Sequence, residues 1–121
     1  MTYTEAIKAF LLDNPDKLKL VLDYFGFAHI KEHHDYISFG RNETTSPKSL
    51  VIYKRKNPRL LINDYARGTC NELFWFLKTE KGIDRWKAIQ EIRRLLDCSS
   101  FKITAYQIKE FVEDKDVEPE P

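Results

Sequence analysis

A chain of 121 residues with 42% hydrophobic and 13% aromatic content is long enough for one domain with an apolar core. No run approaches the roughly 20 apolar residues of a membrane helix, and the opening "MTYTEAIKAF" lacks the basic-then-apolar layout of a signal peptide. The formal charge of +1 excludes a uniformly basic or acidic protein, yet it is unevenly spread. Residues 41–67 carry seven Lys/Arg against two acids, a net +5, and residues 110–121 carry six acids against one lysine, a net −5. The cysteines are Cys70 and Cys98, with no Cys-x-x-Cys pair; both are expected on helices as small buried thiols in a reducing, cytoplasmic setting.

In chain order, Thr2-Tyr3-Thr4-Glu5 fits a capping box and predicts a helix to about residue 12. Asn14, as N-cap, and Pro15, at the first helical position, predict a second helix. Leu18, Val21, Leu22 and Phe25 line one of its faces, and Gly26 supplies a left-handed stop. From residue 27 the period changes. "FAHIKEHHDYISFG" predicts a hairpin turning at His33 to Asp35, and "SLVIYKR" and "RLLIND" predict two further strands joined by Lys56-Asn57-Pro58. "GRNETTSPK" is a polar connection rich in turn residues.

Thr69-Cys70-Asn71-Glu72 reads as a second capping box, opening the helix "NELFWFLKTEKG" that Gly82 ends. With Leu73, Phe74, Trp75, Phe76 and Leu77 in succession, that helix is expected at the centre of the core. Asp84 caps "RWKAIQEIRRLL", with Trp86, Ile89, Ile92, Leu95 and Leu96 inward, and Thr104 to Gln107 predicts a last short helix. Helices, then strands, then helices give an α+β class: a small antiparallel sheet of three or four strands flanked by helices. The expected division is N-terminal helices over 1–26, a core over 27–98, a short helix within 99–113, and an acidic tail or linker over 114–121.

The segments "YISFGR", "NETTSPKSLVIY", "RLLIND", "DYARGTCNELFWFL" and "WKAIQEI", in this order, resemble the N-terminal CHC2-type zinc-binding domain of bacterial and phage DNA primases. The likeness covers about Pro15 to Leu96. Laid on that family's pattern, the metal positions fall at Ser38, Arg41, Asp64 and Arg67, of which two are cations. Zinc needs about four deprotonated donors, so the resemblance implies a zinc-ribbon-like, metal-free form with no cofactor. Asp64 would pair with Arg41 and Arg67 and clamp the two knuckles by charge. Such a pair gives about 0–1 kcal/mol where zinc gives about 10–16, and packing has to supply the difference. The resemblance also implies a role in phage or mobile-element DNA replication, recognising single-stranded template. A replicative helicase or primase catalytic domain would be the partner, in the host cytoplasm if the chain is phage-encoded.

Of the residues themselves, the hairpin "YKRKNPR" is the best candidate surface. Tyr53 would stack a base, with Arg41, Lys48, Lys54, Arg55, Lys56, Arg59 and Arg67 contacting phosphates. If Tyr53 were buried, that platform would vanish. His29, His33 and His34 are spaced for a helix face but lie in strand and turn, and read as a surface turn rather than a metal site. No nucleophile triad, phosphate-cradling glycine loop or carboxylate pair stands out, so no catalytic residue is assigned and the chain is not read as an enzyme on its own. Three functions stay open: a non-catalytic DNA-binding module, a protein-interaction module that binds a replication or host protein without touching DNA, or an accessory domain of a DNA primase that works only when joined to a catalytic domain.

Overall fold

The computed structural model describes residues 3–44 and 49–97. Two helices, α1 (Tyr3–Asp13) and α2 (Pro15–Tyr24), precede five strands: β1 (Ala28–Glu32), β2 (Tyr36–Gly40), β3 (Leu50–Tyr53), β4 (Leu61–Asp64) and β5 (Thr69–Glu72). Helices α3 (Leu73–Lys81) and α4 (Arg85–Asp97) follow. The class is α+β, as the segregated order predicts. The last predicted helix and the acidic tail, with Cys98 and Thr104 to Gln107, lie outside the described residues, as do Thr2 and Lys48.

The α1–α2 corner has Pro15 at the start of α2, where its missing N–H costs nothing. Asn14 does not cap α2 with its side chain as expected. Its amide instead donates to the Phe10 carbonyl at 2.8 Å, closing the last turn of α1, while its backbone carbonyl accepts from Lys17 and Leu18. One residue thus ends one helix and begins the next.

The strands form an antiparallel meander in the order β1-β2-β3-β4-β5, one more than the sequence suggested. The extra strand is β5. A capping box beginning at Thr69 was the local reading, but the turn through Gly68 (φ +68°) folds this segment back so that Leu61 faces Glu72 and Asn63 faces Cys70. Ladder hydrogen bonds to β4 satisfy the backbone there, and the helix waits until Leu73. Glu72 is then the N-cap itself, its carboxylate accepting from Phe74 at 2.9 Å and Trp75 at 3.1 Å. Cys70 is therefore an exposed strand residue, not the buried helical thiol expected.

One face of the sheet is packed. Ile37, Phe39, Leu50, Ile52 and Ile62 join Leu18, Val21 and Leu22 of α2, Leu73, Phe74, Phe76 and Leu77 of α3, and Ile89, Ile92 and Leu96 of α4 in a single apolar cluster. At its centre Phe27 meets Phe39 edge-on at 5.3 Å and Phe76 at 5.5 Å. Each such side chain contributes about 1.5–3 kcal/mol by leaving water. Trp75 is the exception among the residues placed in the core, for it is 51% exposed. A helix of period 3.6 lying on a sheet cannot bury five consecutive residues, and Trp75 falls on the far side with Lys78 5.5 Å from its ring. Asp84 caps α4 as expected, accepting from Lys87 at 2.8 Å, and Trp86 and Leu95 pack only partly against the core.

Candidate nucleic-acid interface

Ser38, Arg41, Asp64 and Arg67, which the resemblance sets on metal positions, come together only in part. Arg41, just past β2, pairs with Asp64 at the end of β4, and its Nε donates to Glu80 of α3 at 2.6 Å. Arg67 does not send its guanidinium to Asp64 as expected. It reaches Glu80 at 2.9 Å, and only its backbone N–H meets Asp64 Oδ1, at 3.1 Å beside that of Ala66. Ser38 takes no part; its Oγ lies 3.0 Å from His33 Nε2. The charge set is thus two guanidiniums on two carboxylates, and Glu80, which the sequence reading missed, is its hub. Burial is the largest influence on Asp64 and pushes its carboxyl upward. The Arg41 guanidinium and the amides of Arg67 and Ala66 together outweigh burial and hold Asp64 below the usual carboxylate value.

The face of the sheet away from the helices carries a different group. Tyr36 on β2 stands opposite Tyr53 on β3, with ring centroids 6.2 Å apart. His33 stacks on Tyr36 at 4.2 Å with an interplanar angle of 20°. Tyr65, in the turn after β4, extends its hydroxyl to within 2.8 Å of that of Tyr53, and this bond holds the Tyr65 phenol above its ordinary pKa. Tyr53 is 43% exposed and Tyr65 60%. Neither Tyr36 nor Tyr65 was singled out from the sequence. Period-two alternation places Tyr36 and Ser38 on one face, but only the register across the long 41–49 connection sets Tyr36 against Tyr53.

The cations predicted to contact phosphate separate into groups. Arg55, Lys56 and Arg59 are exposed in the loop leaving Tyr53. Lys54 is engaged, donating to Glu32 at 2.6 Å and to the His33 carbonyl at 2.7 Å. Lys54 and Lys56 also line an open groove of about 450 Å³ with Glu5 and Asp13 of α1, whose carboxylates make it a poor phosphate site. Arg41 is committed to Asp64 and Glu80, whereas Arg67 keeps an exposed side chain despite its pairing. Asn57, also missed from the sequence, shapes the loop. Its buried amide donates to the Tyr53 and Leu61 carbonyls at 2.9 and 3.2 Å and accepts from Leu61 N–H at 2.7 Å.

Among the described residues no group of three or more His, Cys, Asp or Glu is placed to hold a metal ion, and no helix is long and apolar enough to cross a membrane. No family model matches the sequence, and no curated protein or solved structure matches it either.

Proposed function

We propose that the chain is a non-catalytic module that binds single-stranded DNA across the open face of its sheet. The observation that carries this reading is the exposed tyrosine group, with Tyr53 and Tyr65 beside Tyr36, leading directly into the cationic loop of Arg55, Lys56 and Arg59. Bases stack on aromatic rings regardless of sequence, at about 1–3 kcal/mol each, while cations track the phosphates. A duplex hides its base faces, so stacking of this kind selects single strands. The resemblance to the primase zinc-binding domain supports template recognition during phage or mobile-element replication, with a primase catalytic domain or replicative helicase as partner. Ion pairs and aromatic packing would do the work that zinc does in that family, and no cofactor is required.

Fluorescence anisotropy with a labelled single-stranded oligonucleotide at about 50 mM salt tests the reading, since electrostatic contributions are strong at low ionic strength. Binding that Tyr53→Ala or Tyr65→Ala weakens about tenfold supports it, and no binding at that salt removes it.

One observation favours a protein-interaction module instead: Trp75, 51% exposed on α3, is of the residue type that most often anchors protein interfaces. Trp75→Ala leaves DNA binding intact on the first reading and abolishes capture of a replication protein on the second.

A further inference from the structure

A cleft of about 320 Å³ opens on the outer face of the sheet, lined by Tyr36, Ser38, Val51, Tyr53 and Tyr65. Small-molecule sites begin near about 300 Å³, so this one has room for a single ring system. Tyr36, Tyr53 and Tyr65 give it aromatic walls, and Ser38, only 2% exposed, is met only by a group that enters the cleft. Ser38 Oγ is held by His33 Nε2 at 3.0 Å, and the His33 ring is itself held flat on Tyr36.

A hydroxyl has one proton to give and two lone pairs to receive with. If Ser38 donates to the imidazole, both lone pairs stay open. If the imidazole donates, one lone pair and the proton remain. In either tautomer an acceptor is left for an entering donor, whereas a spare proton exists in only one.

We propose that this cleft takes one nucleobase of the bound strand, and that Ser38 accepts a hydrogen bond from its exocyclic amine, favouring cytosine over thymine. The inference rests on the stacking reading given above. Cytosine and thymine are of similar size and differ in the group at position 4, an amine donor in one and a carbonyl acceptor in the other. Thymine faces only lone pairs when the Ser38 proton is committed to His33. One net hydrogen bond corresponds to about three- to tenfold in affinity.

The test is a set of anisotropy titrations of the full chain with labelled octamers of dC and dT, and with an octamer of pyrimidin-2-one, which is cytosine without the amine. The expected result is tighter binding of dC by about three- to tenfold, with pyrimidin-2-one falling to the dT level. Ser38→Ala, checked for its thermal melt, brings dC down to dT while leaving dT unchanged. Equal binding of all three octamers, or a preference that survives Ser38→Ala, overturns the Ser38 contact and leaves the platform standing. Binding of none of them overturns the platform and the contact together. Should Ser38→Ala fail to fold, the comparison of dC with pyrimidin-2-one on the unaltered chain decides by itself.

Discussion

At the residue scale the decisive group is Asp64, 3% exposed and accepting from Arg41 and from the Ala66 and Arg67 amides. Removing it strands two N–H groups and leaves Arg41 with Glu80 alone, so Asp64→Ala is expected to cost about 2–4 kcal/mol. Asp64→Asn keeps an acceptor for both amides and should lose less; equal losses would mean that the ion pair dominates. The pH dependence has a definite sign. A carboxyl held below its unfolded value of about 3.9 contributes stability above that pH, and the contribution is lost as pH falls through the folded value. Urea melts between neutrality and pH 3 should therefore show a steep loss below about pH 4 that is shallower in Asp64→Asn. Arg67→Ala should matter much less, because its guanidinium is mostly in water and exposed pairs give about 0–1 kcal/mol. The nearness of Arg41 to Asp64 was expected from the resemblance alone, and the structure achieves it through the antiparallel β2-β3-β4 order, which sets the ends of β2 and β4 on either side of Leu50. Glu80 was not, since it lies 39 residues from Arg41 and the rotation of α3 about its axis decides whether it points inward.

At the scale of elements, local signals located the helices and most strands but failed where a tertiary partner competed. Thr69 to Glu72 has the residue pattern of a helix start, and pairing with β4 overrode it. The run Leu73 to Leu77 gave no clue to which residue would be left out; the sheet beneath α3 made it Trp75. The strands "SLVIYKR" and "RLLIND" were expected to meet at Lys56-Asn57-Pro58, but β3 ends at Tyr53 and β4 begins at Leu61. In the longer loop between them Lys56 and Leu60 adopt φ of +54° and +52°, a region costly for side chains with a Cβ. Three hydrogen bonds from Asn57 hold that conformation. Asn57→Ala is accordingly expected to destabilise by about 1–3 kcal/mol in a thermal melt. It should also weaken DNA binding, because the Tyr53 carbonyl is one of the anchored groups and the phosphate-contacting cations ride on the same loop. A variant that melts lower yet binds as before would separate the loop from the interface. Glu72→Ala tests the neighbouring element: a lost N-cap costs about 0.5–2 kcal/mol, with no effect expected at the tyrosines.

At the scale of the whole molecule, the sheet has one face packed against the helices and the other carrying the exposed tyrosines, and each face implies its own measurement. On the packed side, the aromatic core and the ion pairs of Arg41 with Asp64 and Glu80 hold the sheet to α3, and among the described residues no group is placed to hold a metal ion. A chelator is therefore expected to leave the melting temperature unchanged, and a large fall would overturn the metal-free account. On the open side, charge is the more revealing quantity. The seven cations of residues 41–67 overstate the charge at hand, because Arg41 and Lys54 are already paired with Asp64, Glu80 and Glu32. The exposed set in the loop after Tyr53 reduces to Arg55, Lys56 and Arg59. Each phosphate neutralised on a single strand contributes about 0.7 to the fall of log K with log salt, so three contacts predict a slope of about −2. Arg55→Ala should reduce its magnitude by about 0.7, while Tyr53→Ala should shift the whole line down at constant slope, since stacking releases no counterions. A slope near zero would leave stacking to hold the strand unaided, and one of about −3.5 would mean that the paired Arg41 and Lys54 open to DNA on binding.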